Sequence, residues 1–212
     1  MDAHVLDQIQ TARLVLRRPR DSDVSAIFSG WANDPIVTKY MSWPRHESPA
    51  ATSDFVRFSD AEWSAWPAGP YLIETRDSQE LIGSTGFGFC SATDAEVGYV
   101  LAADSWGRGY ATEALMALLE LAPQLGLELL HASVHPDNAA SCRVLEKCGF
   151  AIAPEAAGTA IYPNLPTAQS AQPLVHRLNL ADLLGGRDEH GSHLDAAITG
   201  SGVEFSDVHG DV

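Results

Sequence analysis

Residues 106–112, Trp106-Gly107-Arg108-Gly109-Tyr110-Ala111-Thr112, set two glycines directly ahead of the strongest helical pattern in the chain. The first N–H groups of a helix have no partner within it, and the helix dipole concentrates positive potential at that same end. Glycines let the backbone come close to a ligand. The combination predicts an anion site suited to a phosphate or pyrophosphate, although glycines before a helix also serve as a plain tight turn. A Walker-type loop is excluded because no Gly-Lys-Ser/Thr follows. The second glycine-rich run, Gly83-Ser84-Thr85-Gly86-Phe87-Gly88, lies inside an apolar strand and reads as a flexible strand.

Other chemistry-bearing residues flank this segment. Glu96 sits on the strand leading into the loop, either as a proton acceptor or as a solvated carboxylate. Arg143 and Lys147 stand four apart on one helix face, as a phosphate-neutralising pair or a surface pair. His131 and His135 share a strand face but lack a third ligand nearby in sequence, so they read as hydrogen-bonded structure and no metal is expected. Cys90, Cys142 and Cys148 form an odd, widely spaced set without a metal or redox motif, read as reduced, buried thiols.

The elements that must position these groups follow from periodicity. Residues 11–19 alternate polar with apolar, as a half-buried strand does. Val24, Ile27, Phe28 and Trp31 recur at helical spacing over residues 24–32, capped by Asp21 or Ser22 and stopped by Asn33-Asp34-Pro35. A second helix spans residues 53–65. Strands at 71–74, 81–90 and 96–101, joined by polar turns, predict an antiparallel meander. Residues 109–125 form an amphipathic helix ending at Gly126, followed by a strand at 127–134 and a helix from Asn138 to Lys147 that Gly149 terminates. Strands at 150–153 and 173–180 close the pattern. A meander followed by strand–helix alternation predicts an α/β fold, with a mixed, mostly antiparallel sheet flanked by helices on both faces.

Composition sets the outer limits. The chain has 212 residues, 28 acids against 13 bases, a formal charge of -15 and 45% hydrophobic residues. It therefore reads as one folded domain over residues 1–184 with an acidic, glycine-rich tail at 185–212, expected to be solvated. The charge argues against a nucleic-acid partner and accommodates a cationic or amine-bearing one. No apolar run approaches the ~20 residues a membrane helix needs, and the acidic start lacks a secretion signal, so a cytoplasmic location is expected.

A further segment, Val134-His-Pro-Asp-Asn138-Ala-Ala-Ser141-Cys-Arg143-Val-Leu-Glu-Lys147-Cys-Gly149-Phe150, combines with Gly-Tyr-Val-Leu at 98–101 and the 106–114 stretch. Together these resemble the GNAT superfamily of N-acetyltransferases over residues 11–150. The opening Thr11-x-Arg13-Leu-x-Leu-Arg17, with Tyr40 and Trp43-Pro44, is similar to its ribosomal-protein N-terminal acetyltransferase branch, the RimJ/RimL type. Trp106, Gly109 and Ala111 fall on the family's Gln/Arg-x-x-Gly-x-Gly/Ala pattern, with Trp106 departing from it. The resemblance implies acetyl-CoA as cosubstrate. Its diphosphate would lie on Gly107, Arg108, Gly109, Tyr110, Ala111 and Thr112, with Arg143 supplying charge. The backbone of Val100 and Leu101 would bind the pantetheine arm from one side and Asn138 from the other, and an N–H near Val100 would stabilise the oxyanion. It also implies direct amine attack, with Glu96 as base through water and Ser141, or else Tyr110 or Tyr99, as donor to the sulfur. The acceptor, a peptide N-terminus or alternatively an aminoglycoside or polyamine, would meet Tyr40, Trp43 and Glu47, with His46, Trp63 and Trp66 nearby. A catalytically silent acyl-CoA-binding module would share the loop.

Overall fold

The computed structural model describes residues 7–153, 158–165, 169–185 and 204–205. Its strands, in chain order, are β1 (Gln8–Gln10), β2 (Leu14–Arg17), β3 (Pro70–Thr75), β4 (Leu81–Phe89), β5 (Asp94–Leu101), β6 (Leu129–Val134), β7 (Ala151–Ile152), β8 (Ala160–Tyr162), β9 (Gln169–Ala171), β10 (Leu174–Asn179) and β11 (Glu204–Phe205). One sheet runs in the order β11-β1-β2-β3-β4-β5-β6-β10-β7, while β8 and β9 form a separate antiparallel hairpin. Within the sheet, β5 and β6 pair in parallel and the remaining neighbours are antiparallel. This is the mixed, mostly antiparallel sheet that the sequence predicts.

Strand pleating divides the side chains between two cores. On β3, Leu72 packs with Ile27, Trp31 and Val56, from α1 (Val24–Ile27), the π-helical turn Phe28–Ala32 that continues it, and α2 (Pro49–Ala65). Its neighbours Tyr71 and Ile73 point the other way, into a core holding Leu115 and Leu118 of α3 (Tyr110–Leu121) and Leu145 of α4 (Ala139–Lys147). On β5, Val100 belongs to the α1/α2 core, whereas Ala95, Val97 and Leu101 belong to the α3/α4 core. Helices therefore cover both faces. A 3-10 turn (Ala122–Leu125) continues α3 until Gly126, at φ 78°, ends it, and α5 (Leu180–Gly185) follows β10.

Several boundaries differ from expectation for local reasons. The strand expected over 11–19 is cut to β2, because the Thr11 hydroxyl accepts from the Leu14 N–H at 2.9 Å and folds residues 11–14 into a turn, with β1 ahead of it. The α2 helix starts at Pro49, earlier than residue 53, because proline lacks the N–H that a first helical turn leaves unused. The β8–β9 hairpin is not anticipated at all. The 185–212 tail lies outside the described residues, apart from Gly185, which closes α5, and Glu204–Phe205, which pairs with β1.

Candidate active site

The parallel pairing of β5 with β6 covers only Asp94↔Leu129, Ala95↔Leu130 and Glu96↔His131. Past that point β5 continues to Leu101 and β6 to Val134, but the strands separate. Between them opens a cleft of about 590 Å³, bounded by Gly98, Tyr99 and Val100 on one side and Ala132, Ser133 and Val134 on the other. The sheet is split here, so groups from both of its faces reach the same space.

The backbone groups that face this split follow from strand parity. The Ala102 N–H donates to the Ile82 carbonyl at 2.8 Å and the Cys90 N–H to the Asp94 carbonyl at 2.9 Å, bracketing the β4–β5 ladder. Antiparallel residues bond to a given neighbour alternately. With this register, Gly98 and Val100 turn their N–H and C=O groups toward β4, and Val97, Tyr99 and Leu101 turn theirs toward the split. The expectation for Val100 is corrected accordingly: its side chain lines the cleft but its backbone belongs to the ladder. The Leu101 carbonyl accepts the Trp106 indole N–H at 2.8 Å, which leaves the Leu101 N–H and the Tyr99 backbone facing the opening. Parity is set by the partner strand, which a reading of β5 alone does not contain.

Beyond β5 the chain turns through Gly107 (φ 72°) and Gly109 (φ 79°), a conformation costly for other residues. Gly109 is the N-cap of α3, no side chain caps the helix, and a Cβ at Gly107 would meet nothing within 4 Å. The Tyr110, Ala111 and Thr112 amides are the donors a helix start leaves open. Glu113, in the same first turn, would repel an anion, but its carboxylate is occupied. It accepts from the Thr11 hydroxyl at 2.6 Å, the Arg13 N–H at 2.8 Å and Arg13 Nε at 2.6 Å. Arg13 Nη1 also donates to the Arg108 carbonyl at 2.9 Å, and the guanidinium lies over the Tyr110 ring at 4.6 Å. Open amides, positive-φ glycines and a neutralised acid together fit a diphosphate. The Tyr110 ring lies beneath Arg13, and the residue is not among those that line the cleft.

On α4, the Asn138 carboxamide caps the helix, accepting from the Ser141 N–H at 3.3 Å, and both residues line the cleft. The Tyr99 phenol donates to the Ser141 carbonyl at 3.2 Å, and burial pushes its pKa up to about 12. Glu96 is exposed and also lines the cleft; its parity on β5 matches Gly98 and Val100, on the α1/α2 face. Arg143 is exposed and does not line the cleft.

On the acceptor side Tyr40 and Trp43 line the cleft, whereas Glu47 is exposed and outside it. Trp63 is a packing residue, edge-on to Tyr71 at 4.9 Å with its N–H on the Pro70 carbonyl at 2.9 Å. Trp66 stacks on Phe89, and His46 bonds Thr52 at 2.9 Å. Two cleft residues lie outside the site expected from sequence: His135, read there as hydrogen-bonded structure, and Tyr162. The His135 ring stacks on Tyr40 at 4.7 Å and meets the edge of Tyr162 at 4.6 Å, while its Nδ1 accepts from the Asp137 N–H at 3.1 Å. The start of α4 four residues beyond His135 is the available signal for it; Tyr162 has none. His131 instead pairs with Asp94 at 3.1 Å. Among the described residues no three His, Cys, Asp or Glu side chains converge on a metal position. The three cysteines are free, but Cys90 is exposed, contrary to the expectation of burial.

A mixed sheet splayed at one parallel pair, with open helix amides beside the split, defines an acyl-CoA-dependent transferase. The chain belongs to the GNAT acetyltransferases: residues 13–151 match the family described as acetyltransferase (GNAT) domain. It is 34% identical over 145 residues to the uncharacterized N-acetyltransferase YoaA of Bacillus subtilis (strain 168), which covers 67% of this chain and 81% of that protein. The crystal structure of an acetyltransferase from Agrobacterium tumefaciens str. C58 superposes with a TM-score of 0.66 at 28% identity, covering 81% of this chain and 94% of that one. Mycobacterium smegmatis RimJ in complex with CoA-disulfide gives 0.73 over 92% of this chain and 96% of that one, a likeness of fold at 20% identity. The protein is thus an acetyl-CoA-dependent acetyltransferase. Among its described residues no helix is long and apolar enough to cross a membrane.

Proposed function

We propose that the protein acetylates the primary amine of a peptide or protein N-terminus, in the manner of the ribosomal-protein acetyltransferases. One observation carries the reading. Glu96 enters the cleft from the α1/α2 face while Ser141 and Tyr99 belong to the α4 side, so a proton acceptor and proton donors flank one reaction space. Residues 107–112 hold the diphosphate, Asn138 and the Tyr99 and Leu101 backbone hold the pantetheine arm, and Arg143 adds positive charge from outside the cleft. The incoming amine attacks the thioester carbonyl directly. An N-terminal amine has a pKa of ~7.7 to 8.0, so an appreciable fraction is neutral near pH 7 and Glu96 need only accept its proton through water. Ser141, or Tyr99, protonates the departing sulfur. Tyr40 and Trp43 flank the acceptor and Glu47 attracts it from the rim. The similarity of Thr11, Arg13, Arg17, Tyr40 and Trp43 to the RimJ/RimL branch supports a peptide acceptor. The net charge of -15 supports a second reading, an aminoglycoside or polyamine acceptor. The expected compartment is the cytoplasm.

Thiol release from acetyl-CoA, measured over peptides, aminoglycosides and polyamines, tests the assignment. Turnover with free peptide N-termini is the expected result. Turnover confined to cationic small molecules would replace it with the second reading, and CoA binding without turnover on any amine would reduce the protein to an acyl-CoA-binding module.

A further inference from the structure

The cleft's acceptor wall is built from the loop that contains Tyr40, Met41, Ser42 and Trp43. This loop has little regular structure of its own, only a 3-10 turn at Thr38–Tyr40. Local bonds hold its ends, among them the His46 N–H to the Ala32 carbonyl at 2.9 Å, and a residue more than a hundred positions away ties it together. Asn164, just beyond β8, accepts the Arg45 N–H at 2.7 Å through Oδ1. Through Nδ2 it donates to the Thr38 carbonyl at 2.8 Å and to the Trp43 carbonyl at 2.9 Å. A single carboxamide thus ties the beginning, middle and end of the wall. Two residues earlier, Tyr162 lines the cleft with 3% of its surface exposed and meets His135, which stacks on Tyr40. The staple and the ring stack clamp the same loop from two directions.

We propose that Asn164 is a positioning residue that sets acceptor specificity, with the β8–β9 hairpin as a fixed wall of the acceptor cleft. The inference rests on the acetyltransferase reading of this cleft and adds what holds its shape. The chemistry calls for an amide and no isostere. Aspartate would retain the acceptor for the Arg45 N–H but would face the Thr38 and Trp43 carbonyls with a negative oxygen, replacing two hydrogen bonds with repulsion. Alanine would leave all three backbone groups without this partner. Loosening the wall displaces Tyr40 and Trp43, which orient the acceptor, while the diphosphate loop at 107–112 bonds to other elements and is untouched.

The test compares Asn164→Asp and Asn164→Ala with the unaltered protein, measuring KM for acetyl-CoA and for the best acceptor of the amine panel separately. Acceptor KM should rise about tenfold or more in both variants, with Asp no better than Ala, while acetyl-CoA KM stays within about twofold. General destabilisation would shrink the active fraction and lower the apparent kcat without this split between the two substrates. Acceptor KM within about twofold of the unaltered protein in both variants, or a wild-type-like Asp variant, overturns the inference. If neither variant folds, amide exchange in the unaltered protein decides: strong protection of the Arg45 N–H supports the staple, and exchange at the unstructured rate overturns it. Turnover by the unaltered protein reports on the acetyltransferase reading itself, independently of these ratios.

Discussion

Glu96 and Ser141 both line the cleft at the split in the sheet, and the roles proposed for them should separate kinetically. Replacing Glu96 by Gln should lower kcat by about 10²-fold or more while the rise of rate with pH persists, since the amine must then lose its proton to bulk water. Ser141→Ala should lower the plateau. A rate within a few-fold of wild type for either would remove that residue from proton transfer. The Tyr99 phenol competes with Ser141 as donor. Burial keeps it protonated up to about pH 12, so it remains a donor throughout the working range and contributes no alkaline fall of its own below that pH. Tyr99→Phe should therefore reduce the plateau while leaving the ascending limb in place, as measured by kcat against pH. At this scale the placement of Glu96, Asn138 and Ser141 on the cleft wall was legible in the sequence, because each lies beside a turn or helix start that periodicity locates. Asn164 and Tyr162 were not: they lie among Ala, Pro and Gly without periodicity, and their contacts reach back to residues 38–45 and His135, which no local pattern encodes.

Strand β4 shows what element geometry adds to composition. Its glycines suggest a flexible strand in sequence, but two of them are sites of close approach. A Cβ on Gly83 would stand well inside van der Waals contact of the Val100 carbonyl oxygen, and one on Gly86 would press on Pro70 Cα at 2.7 Å and the Gly69 carbonyl at 2.8 Å. The Gly83 approach lets β5 lie close against β4 where it parts from β6, and the Gly86 approach does the same for the start of β3. Gly83→Ala should destabilise the fold by about 1–3 kcal/mol through overpacking and weaken CoA binding as well, because β5 carries the backbone that faces the split. Denaturant midpoints and CoA titration check both; a midpoint equal to wild type would show that the strands relax without cost. The β3–β4–β5 meander and the α3 helix were readable from alternation and from glycines at 107, 109 and 126. The extent of the β5–β6 pairing and the parity of its backbone groups were not, since both are properties of two strands jointly.

Across the whole molecule, the two cores respond differently to solution conditions. The α3/α4 core contains Cys148, whose thiol burial pushes up to about 12, and so holds no charge there near neutrality. On the α1/α2 side, His46 has its pKa lowered, chiefly by burial, with Asp54 opposing. Its protonation therefore favours the unfolded chain: this contribution to stability is complete above the ordinary histidine pKa of ~6.5 and is lost as pH falls from there toward the lower folded value. Thermal midpoints should decline over that window, and less steeply in His46→Gln, which cannot titrate; identical slopes would exclude His46 as a source. CoA binding involves neither core but the amides at the front of α3 and along the split. Backbone amide shifts during titration with CoA test it most directly. The largest changes should fall on Gly107, Gly109 to Thr112, Tyr99 and Leu101, with Val100 moving less; saturation with CoA that leaves the α3 turn and the split unmoved would overturn this binding mode.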